Sequence, residues 1–144
     1  MLKRLMATHA PAATLLIRLM VGAVFVSEGI QKFLFVADIG AGRFEKIGFS
    51  SPEATAQLVA CFEIACGCLV LLGLLTRIAV IPLIVIMLVA IASTKIPILQ
   101  EKGFWKMAHD ARTDWAMLLG SLYLLLVGAG RLSCDAQLSR SANK

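Results

Sequence analysis

The 144-residue chain is poor in acids and aromatic rings. Nine Asp and Glu stand against 14 Lys and Arg, and the aromatic residues include two Trp and one Tyr. The four cysteines, Cys61, Cys66, Cys68 and Cys134, form no Cys-x-x-Cys pair, and three of them fall in one apolar segment. A disulfide framework and a metal site of the zinc type are excluded on that spacing. The thiols read instead as small buried hydrophobes. No nucleotide, flavin or metal motif occurs. No basic run is interleaved with aromatic rings, so the net charge of +5 does not point to nucleic acid. No internal repeat is present, which argues against a transporter built from inverted halves. No small-x-small cleavage site follows Met1-Leu2-Lys3-Arg4, and Arg18 interrupts the apolar run behind it. The first segment therefore reads as a retained helix, not as a signal peptide.

What the chain has in excess is hydrocarbon. Hydrophobic residues make up 59% of it, against roughly 45–50% in soluble domains. The mean hydropathy is +0.85. One domain of this size could not bury so much apolar surface in water, so the reading is an all-α integral membrane protein occupying residues 1–144. Four apolar stretches, at about 12–35, 54–75, 77–94 and 114–130, approach the roughly 20 residues of a spanning helix and predict a transmembrane four-helix bundle. Ser51 and Pro52 mark the start of helix two, and Thr76 is expected to cap helix three across a tight turn at Gly73. Pro82 is expected near the first turn of helix three or at a mild kink. Residues 95–113 read as a long loop, with Phe104 and Trp105 between Lys102 and Lys106 resting at the membrane interface. Basic residues are nearly balanced between the two sides. Lys3 and Arg4 ahead of the first helix favour cytoplasmic termini in a bacterial inner membrane.

The informative residues are the charges inside these stretches. At 100° per residue, Arg18, Gly22, Phe25, Gly29 and Lys32 share one stripe of helix one, with Glu28 beside it and one turn from Lys32. Gly22 and Gly29 permit close helix approach, so the charged stripe is also the packing stripe. Glu63 and Gly67 share a face of helix two in the same way, and Asp114 opens helix four. Each charge alone would cost about 2.5–3.5 kcal/mol at mid-membrane, and each is tolerable when paired. Glu28, Lys32, Glu63 and Asp114 are therefore expected to converge in a polar pocket, with Gly22, Gly29 and Gly67 as packing positions. The competing reading is a salt-bridged lock with no ligand. Arg18 is expected to snorkel to headgroups, or else to pair within the bundle. His109-Asp110 reads as a solvated loop pair, and Trp105 and Trp115 as interface anchors.

These residues together resemble the DoxX family of small four-helix membrane proteins. The likeness runs through "RLMVGAVFVSEGIQKF" at Arg18, Gly22, Phe25, Gly29 and Lys32, through Glu63 and Gly67, and through "GLLTR" at Gly73, Leu74, Thr76 and Arg77. It closes on the pattern Gly-x-Gly-Arg-x-Ser-x-Asp at Gly128, Gly130, Arg131, Ser133 and Asp135. The chain departs from the family's usual residues at Ser27-Glu28, Asp114 and Cys134. The resemblance implies a membrane subunit of a redox system, facing quinone within a larger oxidoreductase, with no covalently bound cofactor and a soluble or membrane redox protein as partner. The alternative is a non-catalytic anchor or assembly factor.

Overall fold

Long apolar runs can satisfy their own peptide groups without water only as helices or closed barrels. This chain takes the helical route. The computed structural model describes residues 11–141, and no strand occurs among them. Lys3, Arg4 and Lys144, which bear on orientation, lie outside the described residues.

Helix α1 spans Thr14–Leu34, and a short α2 spans Ala41–Ile47 within the first connection. Helix α3 runs Pro52–Leu72, with Ser51 at its N-cap position and Pro52 in its first turn, and α4 runs Thr76–Ala90. The third apolar segment does not stop at residue 94, as the pattern suggested. It passes through a π-helical turn, Ile91–Lys95, into α5, Ile96–Lys102. The local reason is visible in the side chains. Pro97 has no N–H to give to the ladder. The Ser93 hydroxyl donates to the Val89 carbonyl at 2.7 Å, and the Thr94 hydroxyl donates to the Ala90 carbonyl at 2.6 Å. These hydroxyls serve carbonyls in the widened turn. Pro82 sits inside α4, past its first turn.

The expected loop at 95–113 is thus largely helical. Gly103, at φ 79°, breaks α5 from α6, Phe104–Asp110. On α6 the Lys106 ammonium lies 2.9 Å from Asp110 and holds its carboxyl below the usual carboxylate range. Helix α7 covers Arg112–Val127, ending three residues earlier than expected where Gly128 turns to φ 91°. A last helix, α8, covers Cys134–Ser141. Among the described residues, three stretches are long and apolar enough to cross a membrane: Thr14–Leu34, Pro52–Leu72 and the continuous Thr76–Lys102. Helix α7, with 16 residues, is shorter.

Packing organises these helices as two pairs, α1 with α3 and α4 with α7. Close approach of α1 and α3 depends on glycine. A Cβ at Gly22 would fall 2.9 Å from the Gly67 carbonyl oxygen, and one at Gly29 would fall 2.8 Å from that of Ala60. Both neighbours are backbone and cannot step aside. The pairs join through an apolar core that includes Val21, Phe25, Val70, Leu83 and Leu124. Of the cysteines, Cys66 alone is buried. Cys61 and Cys68 are exposed on the outer face of α3, and Cys134 is half-buried. The expectation of buried thiols fails there because Cys61 and Cys68 lie on the face of α3 turned away from the core.

At the end where the bundle meets α8, the chain ties itself into a polar knot. Arg18, 2% exposed, was expected to snorkel and instead turns inward. Its guanidinium donates to the carbonyls of Val70, Leu71, Ala129 and Leu132. Those groups lie at the end of α3, where the Val70 carbonyl also accepts from the Gly73 N–H, and just beyond α7. Asp135 completes the knot. Its carboxylate accepts from the backbone N–H of Leu75 at 2.8 Å and of Thr76 at 3.2 Å, and its own N–H donates to the Gly73 carbonyl. Asp135 therefore caps α4, the role assigned above to Thr76. The turn it holds is tight enough to put Leu75, without glycine's freedom, at φ 49°.

Candidate functional site

The opposite end of the bundle is open. Lys32 lies in the last turn of α1 and is 9% exposed, and Glu63 on α3 is 4% exposed. The Lys32 Nζ stands 2.7 Å from Glu63 Oε2 and 3.8 Å from Glu28 Oε2. The Glu63 contact is an ion pair of hydrogen-bond length, and Oε2 has no further partner. The i,i+4 spacing on α1 and the close α1–α3 approach bring one cation between two acids.

Asp114 does not join that group. It pairs with Lys95 at 3.1 Å, presented from the π turn. The charges thus form two groups, Lys32 between Glu28 and Glu63, and Lys95 with Asp114. Both face one cavity of about 500 Å³ between the helix pairs, which all four predicted residues line. Arg43 and Phe44 of α2, with Phe49 after it, wall the same space. Phe25, Met87 and Met117, at the top of the core, also line it. Sequence reasoning missed Lys95 and Arg43 because both were assigned to loops. The clue to Lys95 was the Ser93-Thr94 pair ahead of Pro97, which marks an interrupted helix, not its end.

The rim of the cavity is apolar on one side. Leu58 of α3 and Val85 and Val89 of α4 line it while remaining 59%, 53% and 46% exposed on the outer surface of the bundle. The space therefore opens sideways between α3 and α4, where hydrocarbon would stand. Among the described residues, no cluster of His, Cys, Asp and Glu could hold a metal ion. His109 is exposed on α6 and is not among the residues lining the cavity.

Comparison with known proteins now gives these positions a context. The model of the DoxX family matches residues 13–96, from α1 into α5. The chain belongs to the DoxX family. It is 50% identical, over 96% of its length and 89% of the relative's, to "Uncharacterized membrane protein Rv3486" of Mycobacterium tuberculosis. It is 31% identical, over 85% of its length and 84% of the relative's, to CatD of Bacillus subtilis, whose name carries oxidoreductase as a provisional assignment. No solved structure matches. In this DoxX protein the residues that carry the family resemblance divide between the two ends. Arg18, Gly73, Ser133 and Asp135 build the knot, whereas Lys32 and Glu63 build the floor of the cavity.

Proposed function

We propose that this DoxX protein is an integral membrane component of a redox system, and that its cavity takes a lipid-soluble quinone. The observation that carries the reading is the cavity's two-sided character: buried ion pairs inside and an exposed apolar rim toward the bilayer. Its volume lies within the range of small-molecule sites. The lining holds three cations, Lys32, Arg43 and Lys95, and three carboxylates, Glu28, Glu63 and Asp114. Such a balanced lining suits a neutral ligand. A quinone offers two carbonyl oxygens to the cations, and a quinol offers two hydroxyls, one of which matches the unfilled lone pair of Glu63 Oε2. Electrons come from a partner protein, in keeping with the missing nucleotide, flavin and metal motifs. The provisional oxidoreductase name of CatD supports the same direction. Helix α7 completes the bundle as a fourth span of about 24 Å, in a bacterial inner membrane with cytoplasmic termini.

The test is a titration of the protein in lipid nanodiscs with decylubiquinone and with menadione. The native chain binds one of them, and Glu63→Gln weakens binding about tenfold, the equivalent of 1.4 kcal/mol. A native chain that binds neither overturns the reading.

A second reading, a membrane anchor for a partner protein, is favoured by α6. Trp105 is 84% exposed there and Phe104 57%, beside Lys102 and Lys106. On that reading Trp105→Ala loses a co-purifying protein, and no quinone accompanies the native complex.

A further inference from the structure

Lys32 faces more than one space. A second recess of about 270 Å³ lies between α1, α2 and α3, lined by Phe33, Val36, Ala41, Glu53, Ala56 and Gln57 together with Lys32. Of all the residues that line the cavity or the recess, Lys32 alone is shared. Glu53 and Gln57 are exposed, and Glu53 lies in the first turn of α3. The recess therefore has a polar rim at the end of the bundle, where α3 begins, beside the exposed apolar side chains of Phe33 and Val36. Lys32 stands as a partition, with an ion-paired cavity on one side and, on the other, a mainly apolar recess that carries Glu53 and Gln57 at its outer rim.

We propose that Lys32 is a proton gate between that recess and the cavity. This rests on the reading of the cavity as a quinone site, since interconversion of quinone and quinol consumes or releases protons in a chamber whose open side is hydrocarbon. The step conserves atoms and charge. An Nζ–H bond of Lys32 breaks as an O–H bond forms on Glu63 Oε2, 2.7 Å away, converting the ion pair to a neutral pair. The amine then takes a proton from water in the recess beside Glu53, the hydroxide left behind passing to bulk water, and Glu63 hands its proton to the cavity. In the opposite direction the same bonds form and break in reverse order. Both partners are buried, so the neutral pair avoids the cost that isolated charges would meet there. Glu28, 3.8 Å from the amine, holds it near the partition during exchange. Intramembrane chains of ionisable groups serve as proton relays in this way. Arg43, which also lines the cavity, carries a permanent charge and cannot substitute for the amine.

The experiment follows the protons of Lys32 itself. The full chain is labelled with nitrogen-15 lysine, placed in lipid nanodiscs without quinone, and the exchange of the Lys32 ammonium with water is measured by NMR. The signal is assigned by its loss in Lys32→Arg. Gln57→Trp, at the exposed rim of the recess, is expected to slow exchange by at least about tenfold. Thr113→Trp, at an exposed position lining the main cavity, leaves the rate as in the native chain. Ala41→Leu fills the recess from α2 and serves should Gln57→Trp fail to fold. Exchange that keeps the native rate in a folded recess-filled variant overturns the gate. Because no quinone is present, that result leaves the ligand reading standing, and a chain that binds no quinone leaves the recess route standing.

Discussion

Arg18 and Lys32 occupy the same stripe of α1 and do different work. Arg18 reaches two separate segments with one planar fork, and its acceptors include the carbonyls of Leu71 at the end of α3 and Leu132 beyond α7. Lysine has one compact ammonium and cannot span them. Arg18→Lys should therefore leave at least one buried carbonyl unsatisfied, at a cost of about 1–3 kcal/mol. A lowered midpoint of thermal unfolding in detergent checks this, and an unchanged midpoint would refute it. Lys32 invites a paired substitution. Lys32→Met alone leaves Glu63 buried without its counter-ion and should cost about 3 kcal/mol. Lys32→Met combined with Glu63→Leu should regain most of that loss while quinone binding stays abolished. Binding that returns along with stability would mean that the ion pair serves only to hold the helices.

Among the elements, the turn between α3 and α4 is the most exacting. Two N–H groups at the start of α4 depend on Asp135, far away in sequence. Asp135→Ala should cost about 0.5–2 kcal/mol as a lost cap, visible in the same unfolding assay, with a larger effect than Thr76→Ser. The sequence spoke clearly about α1 and α3, because glycine and charge spacing follow one helical period over their whole length. It was silent about the cap because capping by Asp135 is a contact between remote segments, whereas Thr76 was adjacent. It misread residues 95–102 because hydroxyls and proline are usually punctuation, and here they keep a widened helix going. Lys32 and Glu63 were legible as a pair from depth and face. The pairing of Asp114 with Lys95 was not, since it depends on where the π turn points.

At the scale of the whole molecule, the two ends differ in kind. The α8 end is cross-tied by charged hydrogen bonds, while the other is divided by a cavity that reaches the outer surface. Entry between α3 and α4 makes a kinetic prediction. Val89→Trp, on the exposed rim, should slow quinone association several-fold in stopped-flow mixing with little change in equilibrium affinity, because the ion pairs inside are untouched. Equal rates in both chains would place the entrance elsewhere.

The knot also has a mechanical consequence. Fastened at one end and parted at the other, the helix pairs behave like a tuning fork with a stem and two tines. The Thr76–Lys102 tine is about 40 Å long. A tilt of about 5° at the stem would carry its tip, with Lys95 close by, through roughly 3 Å. Small adjustments around Arg18 and Asp135 would thus be amplified at the prongs, coupling events at the stem to the width of the mouth without any contact between them.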